Sequence, residues 1–261
     1  MLGRHRNDRL WEEGYNNQGC LMRIVEYNGA LDIVVEFQDK YKIKVNTQYG
    51  QFKLGEVKNP YYPSVYGVGV IGAKYPLKVN GKNTKEYESW KSVLERSFDE
   101  KLKKKYITYE LIECCEEWLN YENFYEWLHS QENFEKWLNE DRWEIDKDIL
   151  IKGSKVYSPE TCCLVPHNVN SLFTKSNATR GDLPIGVTRH GNGFQAQCNN
   201  PFKDNGHEYL GTYSIPSQAF LTYKKFKENL IKQMAQIEYD KGNITKQCYE
   251  AMMNYQVEIT D

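Results

Sequence analysis

Gly67-Val68-Gly69-Val70-Ile71-Gly72 has the spacing of a loop that cradles phosphate. That chemistry needs a helix opening at the glycines, so that its first N–H groups point at the anion. Pro76 follows within four residues, so the glycines read instead as places where backbone approaches its neighbours closely. The seven cysteines, Cys20, Cys114, Cys115, Cys162, Cys163, Cys198 and Cys248, contain no Cys-x-x-Cys pair. A structural zinc site therefore has little support, and reduced thiols fit best. Charge is unevenly spread. Lys101-Leu102-Lys103-Lys104-Lys105 is a basic cluster, while residues 110–148 carry thirteen Asp and Glu against Lys136, Arg142 and Lys147.

The whole chain of 261 residues has a formal net charge of −2. That excludes a uniformly basic nucleic-acid binder, and any DNA contact must come from a local patch. Tyr, Phe and Trp make up 14% of the residues, enough to build several small cores; base-stacking surfaces are the sharper alternative. Met1-Leu2-Gly3-Arg4-His5-Arg6 leads into charged residues, and no run of 18 apolar residues occurs. The expectation is a cytoplasmic protein with no membrane partner.

The elements follow from pattern. Residues 21–27, 31–37 and 41–45 read as short strands, with turns at Asn28-Gly29 and Asp39-Lys40, and a small antiparallel barrel is the natural closure. Thr84 is placed to cap a helix on which Tyr87, Trp90, Val93 and Leu94 recur at helical spacing. Trp118-Leu119, Trp127-Leu128 and Trp137-Leu138 predict two or three short amphipathic helices, each burying its pair. Residues 179–187 read as a linker into a second β region. There Phe194–Cys198 and Glu208–Tyr213 are strands, and Ser217–Lys227 is a helix with Lys-rich last turns. The tail is expected to be helical at least through Met253.

Residues 184–232 resemble the APETALA-type DNA-binding domain of ethylene-response factors and phage homing endonucleases. The carrying blocks are Pro184-Ile185-Gly186-Val187, Phe194-Gln195-Ala196-Gln197, Tyr209-Leu210-Gly211-Thr212-Tyr213 and Ser217-Gln218-Ala219-Phe220. The resemblance implies a three-stranded sheet lying on a helix, with the free face in the major groove. Its outward candidates are Arg189, His190, Gln195, Gln197 and Lys203. Residues 180–232 hold seven Lys and Arg against four Asp and Glu, so this part counts as locally basic.

Residues 84–175 resemble the HNH nuclease region of phage-encoded homing endonucleases. The run is Glu144–Leu150, then Tyr157–Pro166, then His167-Asn168-Val169-Asn170. In that family a hairpin and helix hold one divalent metal, and a histidine activates water. The motif's catalytic positions would fall on Lys147, Thr161 and His167, and its last Asn or His on His167, Asn168 or Asn170. Asp146, Asp148 and Asn170 would be left to hold Mg²⁺ through oxygen. A lysine ammonium is a poor base that repels a metal, and a threonine cannot replace the amide that orients the histidine. Phage relatives of this type do often read Asp-Lys-Asp here, so the substitution can equally be a subfamily trait. The bland reading of Asp146-Lys147-Asp148 is a solvated strand end, and of His167 a polar helix-start residue.

The expected fold class is α+β. It comprises a small β-barrel-like domain over residues 1–76, a degenerate HNH (ββα-metal-like) helical domain over 77–178, and a three-stranded sheet packed on a helix, with a helical tail, over 179–261. Three functions compete. The first is sequence-directed binding of double-stranded DNA by a protein of a phage or other mobile element, with Lys101, Lys103, Lys104 and Lys105 on phosphates and a steep salt dependence. The second is an active Mg²⁺-dependent endonuclease. The third is an inhibitor of a host defence protein, acting through the acidic face.

Overall fold

The computed structural model describes residues 9–174, 181–259 and 261; the leading Met1–Arg6 and the first linker positions, Thr179 and Arg180, lie outside them. The fold is mixed α+β with several small sheets and two compact units, one of residues up to Leu102 with Glu116–Tyr125, the other of Lys103–Cys115 with Glu126–Asp261.

In the first unit, β1 (Glu13–Tyr15), β2 (Leu21–Gly29), β3 (Asp32–Phe37) and β4 (Lys44–Thr47) form an antiparallel sheet in sequence order. Alternation places Met22 and Ile24 of β2, and Ile33, Val35 and Phe37 of β3, in one core. Phe52 on the short helix α1 (Tyr49–Lys53) covers that core with Val57. The expected barrel does not close. The outer strands β1 and β4 have three and four residues and, among the described residues, pair only with β2 and β3 respectively. With Phe52 and Val57 over the apolar face, closure would bury little more.

After a two-residue hairpin of β5 (Lys78–Val79) and β6 (Lys82–Asn83) comes α2 (Lys85–Phe98). Thr84 caps it, its hydroxyl accepting from the N–H of Tyr87 at 3.2 Å. Trp90, Val93 and Leu94 are buried, and the Trp90 indole N–H donates to the Trp118 carbonyl at 2.7 Å. Gly69 packs here: a Cβ on it would meet Leu94 at 2.4 Å. No helix opens after Gly72. The N–H groups of Ala73 and Lys74 both donate to one carboxylate oxygen of Glu122 at 2.8 Å, so the glycine-rich loop wraps a side chain of its own unit.

Helix α3 (Glu100–Lys105) carries the basic cluster, and α4 (Tyr121–His129) and α5 (Phe134–Asn139) carry the later aromatics. Of each expected Trp-Leu pair only one member is fully buried: Trp118, Leu128 and Trp137. On α4 the buried row is Tyr121, Phe124 and Leu128, the 3-4 spacing of one helix face.

In the second unit, β7 (Glu113–Cys114) runs parallel to β9 (Val156–Tyr157). Strands β8 (Trp143–Asp146) and β10 (Cys163–Pro166) pair antiparallel, and α6 (His167–Asn170) follows directly. The sheet of β11 (Val187–His190), β12 (Gly193–Asn199) and β13 (His207–Tyr213) packs on α7 (Pro216–Asp240), and α8 (Lys246–Met253) packs on α7 in turn. One core joins Cys163, Val165 and Val169 of the hairpin and its helix to Val187 and Ala196 of the sheet and to Phe220, Leu230 and Met234 of α7. Gly186 has φ +74°, and a Cβ there would lie 2.0 Å from the Tyr223 ring. Only glycine serves both needs at the entry to β11. Helix α7 runs 13 residues past the expected end at Lys227, so its lysines sit mid-helix, away from the C-terminal dipole.

Candidate functional site

The hairpin and its helix bring together His167, Asn170 and a residue the sequence reading passed over, Glu144. Register sets this up. Glu144 faces Val165, so its side chain stands beside the strand end from which Pro166 leads into α6. One Glu144 oxygen lies 2.6 Å from His167 Nδ1, and the other accepts from the Asn170 side-chain amide. The His167 and Glu144 side chains are 45% and 37% exposed, so solvent reaches the pair. The available signal was a Glu two positions before Asp146, on the strand that pairs with the one leading into the histidine's helix.

The other hairpin positions have structural duties. Asp146 is buried, and one of its oxygens accepts the N–H groups of Asp148 and Ile149 at 2.8 Å each. Burial raises its carboxyl above the usual range despite those two bonds. The Lys147 ammonium donates to Asp148 at 2.8 Å and to the Ser154 carbonyl at 3.0 Å. The Thr161 hydroxyl donates to the Val156 carbonyl at 2.7 Å and accepts from the Ser158 N–H at 3.1 Å. Lys147 and Thr161 therefore fasten the loop between the strands, with His167 held apart beside Glu144. Of the expected Mg²⁺ ligands, Asp146 accepts two backbone N–H groups through one oxygen, Asp148 is paired with the Lys147 ammonium, and Asn170 donates through its amide nitrogen to Glu144. Among the described residues no group of three His, Cys, Asp or Glu is placed to hold a metal ion.

The C-terminal sheet has two distinct faces. Val187, Ala196 and Gly211 lie opposite one another on the helix side. Thr188, Gln195 and Thr212 form a row on the other side, with Gln197 beside Tyr209, Asn199 beside His207, and His190 at the strand end. The Gln195 amide donates to Gln197 at 3.2 Å. Arg189 shares its parity with Phe194 and Tyr213, and its guanidinium stands over the Phe194 ring at 5.4 Å. It is exposed at the sheet margin. Lys203, in the β12–β13 connection, pairs with Glu208 at 2.9 Å.

The outward rows thus carry two histidines and no Lys or Arg. The basic count misled because its lysines are not on that face: Lys203 pairs with Glu208, Lys224 with Glu228 at 3.1 Å, Lys227 is buried, and Lys225 and Lys232 stand on α7. In the basic cluster, Lys103 donates to the Ile112 carbonyl at 3.1 Å, while Lys104 is exposed.

All seven cysteines are free thiols, and the sulfurs of Cys163 and Cys248 lie 4.0 Å apart. Among the described residues no helix is long and apolar enough to cross a membrane. Comparison with family models, with curated proteins and with solved structures returns no match.

Proposed function

We propose that the chain is a sequence-directed double-stranded DNA-binding protein of a phage or other mobile element. In this reading the outward face of β11–β13 lies in the major groove. The observation that carries it is the register: Thr188, Gln195, Gln197 and Thr212 stand in outward rows on a sheet whose other face is buried on α7. A groove about 12 Å wide admits such a sheet, and a glutamine amide can both donate to and accept from an adenine edge. Arg189 at the sheet margin and Lys104 on α3 are the cations offered to phosphate. Because the face itself is neutral, salt dependence is modest. Two to four neutralised phosphates give a log–log slope of about −2 to −4. A gel-shift series across salt with wild type, Gln195→Ala and Arg189→Ala tests this. Gln195→Ala should lose preference among sequences, and Arg189→Ala should weaken all of them.

A second reading, a site-specific endonuclease, is favoured by the Glu144–His167 pair. Glu144 orients the imidazole, and the ring nitrogen left free would take a proton from water attacking a phosphate. Supercoiled plasmid incubated with and without Mg²⁺ tests it, through nicking that disappears in His167→Ala.

A further inference from the structure

The second unit contains a cavity of about 960 Å³ between the β11 edge of the sheet and α7. Its size lies within the range of small-molecule sites, which are apolar pockets with a few fixed polar groups. Leu172, Ile185, Val187 and Tyr223 supply apolar wall, and Arg189 stands in the lining as a second cation. The charged group inside is Lys227, on the fourth turn of α7. It lines the cavity, is 9% exposed, and has neither an ion pair nor a hydrogen bond among the described residues. Other lysines of this unit are served: Lys147 has Asp148, Lys152 has Asp261, Lys203 has Glu208 and Lys224 has Glu228. A buried ammonium without a counter-charge is costly, and an anion delivered to it recovers that cost. Burial indeed lowers the affinity of Lys227 for its proton, and Cys198 beside it only partly opposes this.

We propose that this cavity binds a small organic acid, with Lys227 as counter-charge to its carboxylate or phosphate head and the apolar wall holding its hydrocarbon body. Among the described residues the only acidic one in the lining is Asp182, which is exposed, so the described interior offers no negative charge against an anionic head. The lining shares Thr188, Arg189, Gln197, Asn199 and His207 with the face proposed for DNA, whereas Lys227 belongs to the cavity alone and Gln195 to the outer face alone, so Lys227→Met and Gln195→Ala test the two proposals independently.

Calorimetric titration of the full chain with octanoate, octyl phosphate and octanol tests it. One or both anions should bind at least about tenfold more tightly than octanol, and the carboxylate-to-phosphate ratio then identifies the head group. In Lys227→Met the anions should lose that advantage while octanol is unchanged. Absence of anion binding, equal binding of octanoate and octanol, or an unaltered Lys227→Met variant would each overturn the proposal. Should Lys227→Met fail to fold, the wild-type chain is acetylated with limiting acetic anhydride and mapped by mass spectrometry. Octanoate should protect Lys227 selectively among the lysines, and no protection refutes the assignment.

Discussion

Glu144 and His167 meet at 2.6 Å where a two-stranded hairpin runs into its helix. A carboxylate only accepts, so His167 Nδ1 carries the proton in this bond and Nε2 is the ring nitrogen left for solvent. Asn170 holds the second Glu144 oxygen, which fixes the carboxylate from the helix as well as from the strand. The arrangement is that of an oriented base, built at positions other than the Asp-Lys pair a motif alignment selects.

If the hairpin nicks DNA, Glu144→Gln and His167→Ala should each lower single-turnover nicking of supercoiled plasmid by about 10²–10⁴-fold, the usual contribution of a positioned base. Lys147→Met and Thr161→Val should leave the residual rate of folded protein within a few-fold of wild type. Loss of nicking in Lys147→Met with intact folding would place the chemistry back on the aligned motif.

Asp146 is expected to matter through its turn. Asp146→Ala removes the acceptor of two backbone N–H groups and should cost about 1–3 kcal/mol. Asp146→Asn keeps the acceptor without a buried charge. The raised carboxyl implies that the folded state holds the proton more tightly than the unfolded one, so ionisation of Asp146 erodes stability as pH rises through its folded value. The asparagine variant should therefore gain on wild type more at pH 7 than at pH 4. Denaturant melts at both pH values check this, and equal differences would contradict it.

Glu238 has the opposite sign. Burial pushes its carboxyl up, but hydrogen bonds from Asn243, Lys241 and Asn168 prevail and hold it below the usual 4.5. Its contribution is complete above the unfolded value and fades as pH falls through the folded one. Glu238→Gln should lower the melting temperature at neutral and alkaline pH, converge on wild type in acid, and so flatten the acid limb. Thermal melts between pH 3 and 8 read this directly.

Much of the architecture was legible because it depends on local pattern. Thr84 reads as a cap, and Trp90, Val93 and Leu94 fall on one face, because capping and 3.6-residue spacing act within a few residues. The β2, β12 and β13 strands follow alternation, whereas β3 buries Val34 between Ile33 and Val35. Closure of the first sheet was not legible, since it depends on what Phe52 and Val57 cover after folding. The site was partly legible: His167 and Asn170 were singled out, but their partner Glu144 is 23 residues from the histidine and is brought near only by strand register. Counting charges overestimated the basicity of the sheet, because a count cannot see Lys203 paired with Glu208 or Lys227 buried.

Neutral amides on the sheet's outer face are proposed to read bases. Fluorescence anisotropy with a pool of random 20-base-pair duplexes, followed by sequencing of the bound fraction, measures this most directly. The account predicts an enriched sequence for wild type, a flattened preference for the Gln195→Ala, Gln197→Ala double variant, and unchanged melting of that variant. An identical preference in wild type and variant, or no binding to any duplex at 50 mM salt, would contradict it.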